Sequence, residues 1–118
     1  MRHRIKKKTL KRKSDQRKLL LRTMVNQFLK NGSIKTTLVK GRVIKSKAEH
    51  LIKVGMTNDL NHRRRLIKVT NNPKLANTII NEISPKYKDQ KGGYCRLVKT
   101  GKRKGDAAMT VKISLIDK

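Results

Sequence analysis

Apolar residues are nearly absent from the start of the chain and then recur in regular patterns. After the first residue, only Ile5 and Leu10 are apolar before Leu19. Burial of so few apolar side chains cannot offset the conformational entropy that ordering would cost. The pattern therefore predicts an extended arm over residues 1–13, followed by a single compact domain over residues 14–118.

The domain is predicted to begin with an amphipathic helix from Asp15 to Lys30. Its apolar residues recur at helical spacing on one face: Leu21, Met24, Val25, Phe28 and Leu29. Ser14 is placed to act as the N-cap, and the charge of Asp15 favours the positive end of the helix dipole. Asn31-Gly32 provides a helix stop.

A short strand and a second helix are predicted next. Ser33–Thr36 alternates and contains β-branched residues, and Thr37 is placed to cap the helix from Leu38 to Val54. The apolar stripe of that helix consists of Ile44, Ala48, Leu51, Ile52 and Gly55. Gly41 is expected to weaken the helix near its start.

Two further helices follow a restart at Asn58-Asp59. The first has a thin apolar signal, with one face formed by Leu60, Arg64 and Ile67. Asn72-Pro73 is a clearer start, because proline at the first helical position loses no hydrogen bond. The apolar stripe of this last helix is Leu75, Ala76, Ile79, Ile80 and Ile83, and Ser84-Pro85 is expected to end it.

The C-terminal third alternates between apolar and polar residues, which is typical of strands. Strands are predicted over Tyr94–Lys99 and Met109–Ile116, after a polar loop over residues 85–93. A two-stranded hairpin is marginally stable alone, so it should pair with the Ile34 segment beneath helices. The predicted class is α+β, with a small mixed sheet of about three strands packed against three to four helices.

The net charge of the chain limits the kinds of partner that it can bind. The 118 residues include 33 Lys and Arg against 7 Asp and Glu, for a net charge of +26 and a pI near 11.2. Such a field attracts nucleic acid or an anionic membrane surface. No apolar run approaches the roughly 20 residues of a membrane span, and the arm lacks an amphipathic apolar face. A nucleic acid is the favoured partner.

Catalytic patterns are weak. The three histidines and Cys95 show no metal-ligand spacing, and the acids are dispersed along the chain, so we expect no metal site, no cofactor and no enzyme activity. Cys95 could be an activated thiol, but a small buried residue in a strand is the simpler interpretation. The segment Gly101–Gly105 lacks the ending of a phosphate-binding loop and is interpreted as a basic hairpin tip.

Three basic segments are candidate sites for the phosphates of a nucleic acid. The first comprises the arm and the start of the first helix: Arg2, Arg4, Lys6, Lys7, Lys8, Lys11, Arg12, Lys13, Arg17, Lys18 and Arg22. The second is Arg63-Arg64-Arg65, of which at most two can face one phosphate surface because helical residues spread around the axis. The third is Lys102-Arg103-Lys104. For each, the alternative is a solvated charged surface.

Aromatic residues are scarce, at 3% of the chain. Proteins that bind single strands stack the bases on several aromatic side chains, and this chain has too few aromatic residues to do so. Phe28 is assigned to the core, and Tyr94, which follows two glycines, is a candidate contact. Recognition should therefore depend on phosphates and shape, with little base stacking.

Several motifs together resemble one family, the bacterial large-subunit ribosomal protein numbered seventeen. In chain order they are Met1-Arg2-His3-Arg4, Leu10-x-Arg12, Gln16-Arg17, Ile34-Lys35-Thr36-Thr37-Leu38, Asn61–Arg65, Gly92-Gly93-Tyr94-x-Arg96, Gly105-Asp106 and Leu115-Ile116-Asp117. The match spans nearly the whole chain. The chain departs from the family in its lysine-rich arm and in Gly41, where a stronger helix former is usual.

The resemblance implies a structural constituent of the large ribosomal subunit, near the polypeptide exit, that binds large-subunit ribosomal RNA and neighbouring ribosomal proteins. It implies RNA contacts for Arg2, His3, Arg4, Arg12, Lys35, Tyr94 and Arg96. It also implies a cytoplasmic bacterial ribosome, with an organelle ribosome as the alternative setting. Neither a membrane nor a small-molecule substrate is an expected partner. A DNA-compacting protein and an RNA-processing enzyme remain the alternatives.

Overall fold

The computed structural model describes residue 3 and residues 8–117 as an α+β domain. Its main elements are α1 (Ser14–Asn31), β1 (Ser33–Thr37), α2 (Leu38–Gly55), α3 (Leu60–Thr70), α4 (Pro73–Thr78), β2 (Cys95–Lys102) and β3 (Met109–Leu115). The predicted class is confirmed. Within the described chain both strand pairings are antiparallel, so the expectation of a mixed sheet was wrong.

Helix α1 begins one residue before the predicted start, and the predicted cap is not used. The N-cap residue is Lys13, Ser14 is already helical, and no side-chain capping bond forms. Just before it, Leu10 and Lys11 both adopt positive φ angles, 53° and 52°, so the chain turns before entering the helix. At the other end Gly32 has φ 80° and donates its N–H to the Phe28 carbonyl at 2.8 Å, which confirms the predicted stop.

Helix α2 lies against the sheet through Gly41, which has a packing role that the sequence did not reveal. A Cβ at this position would lie 2.6 Å from Val111 Cγ2 and 3.5 Å from Ile113 Cδ1. The glycine therefore permits a close approach of α2 to β3. Its low helix propensity is the cost of that approach, and the helix nevertheless starts at Leu38.

Gly41→Ala should lower the free energy of unfolding by about 1–2 kcal/mol. The better helix propensity of alanine, worth up to about 1 kcal/mol, is outweighed by overpacking against the stiff side chain of Val111. Urea denaturation followed by circular dichroism measures the change. Gly105→Ala is the matched control, because its added Cβ meets no atom within 4 Å. Equal stability of the two variants would contradict the assigned close approach.

Asparagine and aspartate caps start the next two helices. Asp59 Oδ1 accepts a hydrogen bond from the His62 backbone N–H at 2.7 Å, and Asn72 Oδ1 accepts one from Leu75 N–H at 3.2 Å. These starts confirm the sequence signals. The predicted face of α3 was wrong, however: Leu60 is 61% exposed, whereas Leu66 is fully buried.

The apolar stripe predicted for the last helix is buried, as expected. The backbone does not stay α-helical, however, and it remains helical beyond the predicted end at Ser84-Pro85. After Thr78 it passes into a π-helical segment, Ile79–Ile83, and then a 3₁₀ turn, Ser84–Tyr87, within the region predicted to be a loop. Ser84 Oγ donates to the Ile52 carbonyl at 2.8 Å, and Tyr87 is buried. These contacts attach the turn to the core.

The sheet has the strand order β1-β3-β2, which confirms the predicted pairing of the Ile34 segment with the C-terminal hairpin. Ile34 lies opposite Ile113, and Leu97 lies opposite Ile113 on the other side. Val111 and Ile113 are fully buried beneath α2. The helices therefore cover one face of the sheet, and the alternate residues form the opposite face.

Candidate nucleic-acid interface

The surface carries a large uncompensated positive charge. All seven acids and all but five of the 33 Lys and Arg residues lie in the described chain. Within residues 8–117, Arg103 with Asp106 is the only ion pair between a Lys or Arg and a carboxylate. Most of the cations thus have no internal counter-charge, so an external polyanion would meet little competition.

The predicted arm contacts fall partly outside the described residues. That is the case for Arg2, Arg4, Lys6 and Lys7, whereas His3, Lys8, Lys11, Arg12 and Lys13 are all exposed. In α1, Arg17 Nη1 donates to the Arg12 carbonyl at 3.3 Å, which ties the helix to the chain entering it.

Lys18 and Arg22 lie on the rim of a groove between α1, α2 and α3, which we call the three-helix groove. It has a volume of about 750 Å³. Its lining combines apolar Leu21, Val25, Leu51 and Val69 with basic Lys18, Arg22, Lys47 and Lys68. Arg22 Nε donates to the Val69 carbonyl at 3.1 Å, which holds α1 against α3. Nothing local in the sequence indicated that Lys68 of α3 would join Lys47 of α2 in this lining.

The three consecutive arginines of α3 have different surroundings. Arg63 donates to the side-chain oxygens of Asn77 and Asn58, while Arg64 and Arg65 are exposed. Arg63 has a role in joining α3 to α4, which leaves Arg64 and Arg65 as the candidates for phosphate contact.

Lys35 and Arg96 lie on the sheet face that the helices leave uncovered. Lys35 of β1 is directly opposite Lys112 of β3, and Arg96 of β2 is opposite Ser114. All three basic side chains are exposed. The grouping of Lys112 with Lys35 and Arg96 depends on the strand register, so the sequence did not reveal it.

The tip of the β2–β3 hairpin carries Lys102, Arg103 and Lys104, as predicted. The Arg103 guanidinium pairs with Asp106, and this contact lowers the pKa of the carboxyl well below its usual range and raises the pKa of the guanidinium. Asp106 Oδ1 also accepts from Ala108 N–H at 3.2 Å. Arg103 therefore orders the tip, while Lys102 and Lys104 are exposed and without an ion-pair partner in the described residues.

Tyr94 is a core residue in this structure, so the prediction that its side chain contacts RNA is corrected. It is 2% exposed, its ring lies 5.4 Å from that of Tyr87, and its hydroxyl donates to the Gln90 carbonyl at 3.1 Å. Phe28 is also buried, as predicted. The described surface therefore offers no aromatic ring for base stacking, and the pair of tyrosines stabilises the turn instead.

Cys95 has the environment of a structural residue. It is 3% exposed, and burial, with a smaller contribution from Glu49, raises the pKa of its thiol to about 12. Its backbone N–H donates to Glu49 Oε1 at 3.3 Å. The thiol is thus neutral at ordinary pH, which confirms the interpretation of a small buried residue in a strand.

Cys95 should react with iodoacetamide at pH 8 at least about 100-fold more slowly in the native protein than in urea, because only the thiolate attacks. A neutral buried thiol also contributes stability below its ordinary pKa of 9.0, and that contribution is lost as the pH rises towards about 12. Alkylation rates followed by mass spectrometry test this. Equal rates in the two states would contradict the assigned burial.

The described chain contains neither a metal-binding cluster nor a membrane-spanning helix. Within those residues, His, Cys, Asp and Glu side chains form no group of three that could hold a metal ion. A search of the same residues also finds no helix with the length and apolar character needed to cross a membrane. The observed features define a class, a small α+β domain whose surface cations far outnumber its acids.

Comparison with known proteins identifies the family. The profile of the family described as Ribosomal protein L17 matches residues 20–116. The chain belongs to this family, which confirms the resemblance drawn from the sequence motifs.

Curated relatives match this chain over most of its length. The chain is 40% identical over 116 residues to large ribosomal subunit protein bL17 of Sulfurovum sp. (strain NBC37-1), and the match covers 98% of this chain and 100% of that protein. The bL17 protein of Thermoanaerobacter sp. (strain X514) is 40% identical over 107 residues, covering 91% of this chain and 96% of the relative. That of Carboxydothermus hydrogenoformans is 39% identical over 107 residues, with the same coverage.

Proposed function

We propose that the protein is a structural component of the large ribosomal subunit that binds and cross-links large-subunit ribosomal RNA near the polypeptide exit. Its other partners would be neighbouring ribosomal proteins, and its location the bacterial cytoplasm. Membership of the L17 family supports the ribosomal setting. The distribution of charge supports RNA as the ligand.

The observation that carries this proposal is the uncompensated charge of the described surface. The chain has 33 Lys and Arg residues against 7 acids, yet a single Arg–carboxylate pair forms in residues 8–117. Lys and Arg that neutralise phosphates release condensed counterions, and this release drives binding at low salt. The same side chains repel one another in the free protein, so neutralisation favours the complex further.

The arm and the domain would contribute differently. Residues 1–13 carry eight Lys or Arg and only two apolar side chains after the first residue, so they would order by contact with phosphates that surround them. The domain offers cations on a preformed surface, which include Lys18, Arg64 and Lys104. Binding by both parts at once would hold separate RNA segments together, since the phosphates would otherwise repel.

Competition at matched salt tests the choice of nucleic acid. The full chain is bound to a labelled fragment of large-subunit ribosomal RNA and then challenged with unlabelled copies of the same RNA or with duplex DNA. We expect the folded RNA to compete at least about tenfold better than DNA of equal phosphate content. Equal or better competition by DNA would overturn the proposal in favour of a DNA-compacting protein.

A cleavage assay tests the catalytic alternative. The purified full chain is incubated with the same RNA and Mg²⁺, and the RNA is examined on a denaturing gel. A structural role predicts intact RNA at stoichiometric protein. Site-specific cleavage that is lost on protein denaturation would assign an RNA-processing activity and contradict the proposal.

A further inference from the structure

The three-helix groove combines an apolar floor with a rim of positive charge. Leu21 and Val25 of α1 and Leu51 of α2 form the floor, and each is at most 5% exposed, so the core fixes its shape. Val69 of α3 differs from them, because it is 50% exposed. The groove is therefore an existing depression of about 750 Å³ in which one apolar side chain remains half uncovered.

We propose that the three-helix groove is a docking site for an acidic amphipathic helix of a partner protein. The apolar ridge of that helix would lie on Val69 and the floor, and carboxylates on both sides of the ridge would pair with the basic rim. This inference goes beyond the proposed function and does not depend on RNA binding. It assigns a protein ligand of defined chemistry to this surface.

The rim cations come from all three helices, and no carboxylate lies beside them. They are Lys18 and Arg22 of α1, Lys47 of α2 and Lys68 of α3, and all four are exposed. Among the described residues that line the groove there is no acid, and none of the four cations forms an ion pair within residues 8–117. Carboxylates of a ligand along this rim would therefore meet no competing internal acid.

Two side-chain hydrogen bonds fix the walls of the groove. Arg22 Nε donates to the Val69 carbonyl at 3.1 Å, and Asn26 Nδ2 donates to the Thr70 carbonyl at 2.8 Å. These carbonyls belong to the last turn of α3, which α1 thereby caps and holds. The remaining N–H groups of the Arg22 guanidinium can donate to a carboxylate. Because the groove is preformed, docking a helix there costs less ordering entropy.

The lysine side chains extend the apolar surface towards the rim. A lysine lays its methylene stem along an apolar surface and keeps its ammonium group in water. A complementary ligand therefore needs apolar side chains in one line with acids beside them. Apolar residues at i, i+4 and i+7 of an acidic helix provide this pattern. An extended strand would find no partner here, because the walls are helices whose backbone groups are paired internally.

Other occupants fit the groove less well. Residues 1–13 and a second copy of this chain both carry a large positive charge, which the rim would repel. Duplex RNA presents phosphates without an apolar ridge, and single strands are held by stacking on aromatic rings. In the described lining the only ring is the imidazole of His50. An acidic protein segment matches both the charge of the rim and the apolar floor.

Binding of a synthetic peptide to the full chain tests the chemistry of the groove. The probe is a labelled helix-forming peptide with leucine at i, i+4 and i+7 and glutamate on both sides of this ridge. A scrambled peptide of the same composition, which has no apolar ridge, is the control. We expect the amphipathic peptide to bind at least about tenfold more tightly in fluorescence anisotropy, because only it buries apolar area. Equal affinities would overturn the proposal, since charge alone would then explain binding.

Val69→Glu and Leu60→Glu test whether the peptide occupies this groove. Both replace an exposed apolar residue of α3 by the same acid, but only Val69 lines the groove. We expect Val69→Glu to weaken binding of the amphipathic peptide at least about tenfold and Leu60→Glu to weaken it less than about twofold. Circular dichroism checks that both variants are folded. Equal losses in two folded variants would contradict the assigned site.

Lysine acetylation of the unaltered chain gives a readout that needs no variant. The amphipathic peptide should slow modification of Lys47 and Lys68 more than modification of Lys74, which is exposed on α4 away from the groove lining. Equal protection of the three lysines, or protection of none, would overturn the proposal.

Photo-crosslinking in the native cell tests for a natural occupant. The full chain carries a photoreactive phenylalanine analogue in place of Val69, and each linked product is mapped to its position in the partner. We expect a segment of another protein that is acidic and has apolar residues at helical spacing. Crosslinks to RNA, to a second copy of this chain or to a basic segment, or no crosslink at all, would overturn this inference. A crosslink to RNA would do so while leaving the proposed function standing.

Discussion

Removal of residues 1–13 is expected to lower affinity for large-subunit ribosomal RNA by roughly 100-fold or more at physiological salt. The segment carries eight Lys or Arg, and each that neutralises a phosphate adds about 0.7 to 0.9 to the salt dependence. The slope of log affinity against log salt should therefore fall by up to about 7 if all eight contact phosphates. Filter binding across a salt series measures both quantities.

Two full-length variants separate charge from chain length in that experiment. Replacement of the eight cations by glutamine should reproduce the loss caused by truncation. Exchange of lysine for arginine and arginine for lysine at the same positions should preserve the slope, because phosphate neutralisation depends on charge. An unchanged slope after truncation would contradict the proposal that the arm contacts RNA.

Phe28→Ala is expected to lower the free energy of unfolding by about 3–5 kcal/mol, the usual cost of removing a buried phenylalanine. Phe28 is 0% exposed and packs in the core with Val25, Leu29 and Ile44. Because small domains are stable by only about 5–15 kcal/mol, this variant should unfold at a much lower urea concentration. Urea denaturation followed by circular dichroism measures the change.

Leu19→Ala is the matched control for that variant, since it also truncates a large apolar side chain on α1. Leu19 is 61% exposed, so the free energy of unfolding should change by less than about 0.5 kcal/mol. Similar losses at the two positions would show that α1 is packed differently. The contrast matters for function because α1 directly follows residues 1–13, the proposed arm.

The sequence predicted the elements well where a local signal decides the structure. Gly32 ends α1 because glycine adopts positive φ without strain, and Asn72 caps α4 through a side chain three residues from its partner. The alternation of β3 places Val111 and Ile113 beneath the helices, as expected. Each of these outcomes depends on neighbours in the chain, which the sequence contains.

Features that depend on distant residues were not predictable in the same way. Gly41 looks like a weak point in a helix until the sheet is placed 2.6 Å from its missing Cβ. The thin pattern of α3 suggested an inward Leu60, but tertiary packing buries Leu66 instead. Tyr87 lies in a 3₁₀ turn, and its hydroxyl donates to the Ile116 carbonyl at 2.6 Å, a partner 29 residues away.

The candidate interface, too, was predictable from the sequence only where a local signal was present. The density of basic residues in the arm and at the hairpin tip is visible in the sequence, and it indicates a polyanion. Which cations share a surface depends on strand register, and this brings Lys112 between Lys35 and Arg96. The burial of Tyr94 likewise follows from its contact with Tyr87, which no local pattern encodes.

Sedimentation of the native cell extract tests the central claim most directly. The extract is separated on sucrose gradients at moderate salt and again at high salt, and the protein is located by immunoblotting. We predict that it travels with the large ribosomal subunit at moderate salt and is released only as the salt concentration rises, because its phosphate contacts weaken. Recovery with nucleoid DNA, or in the soluble fraction at moderate salt, would contradict the account.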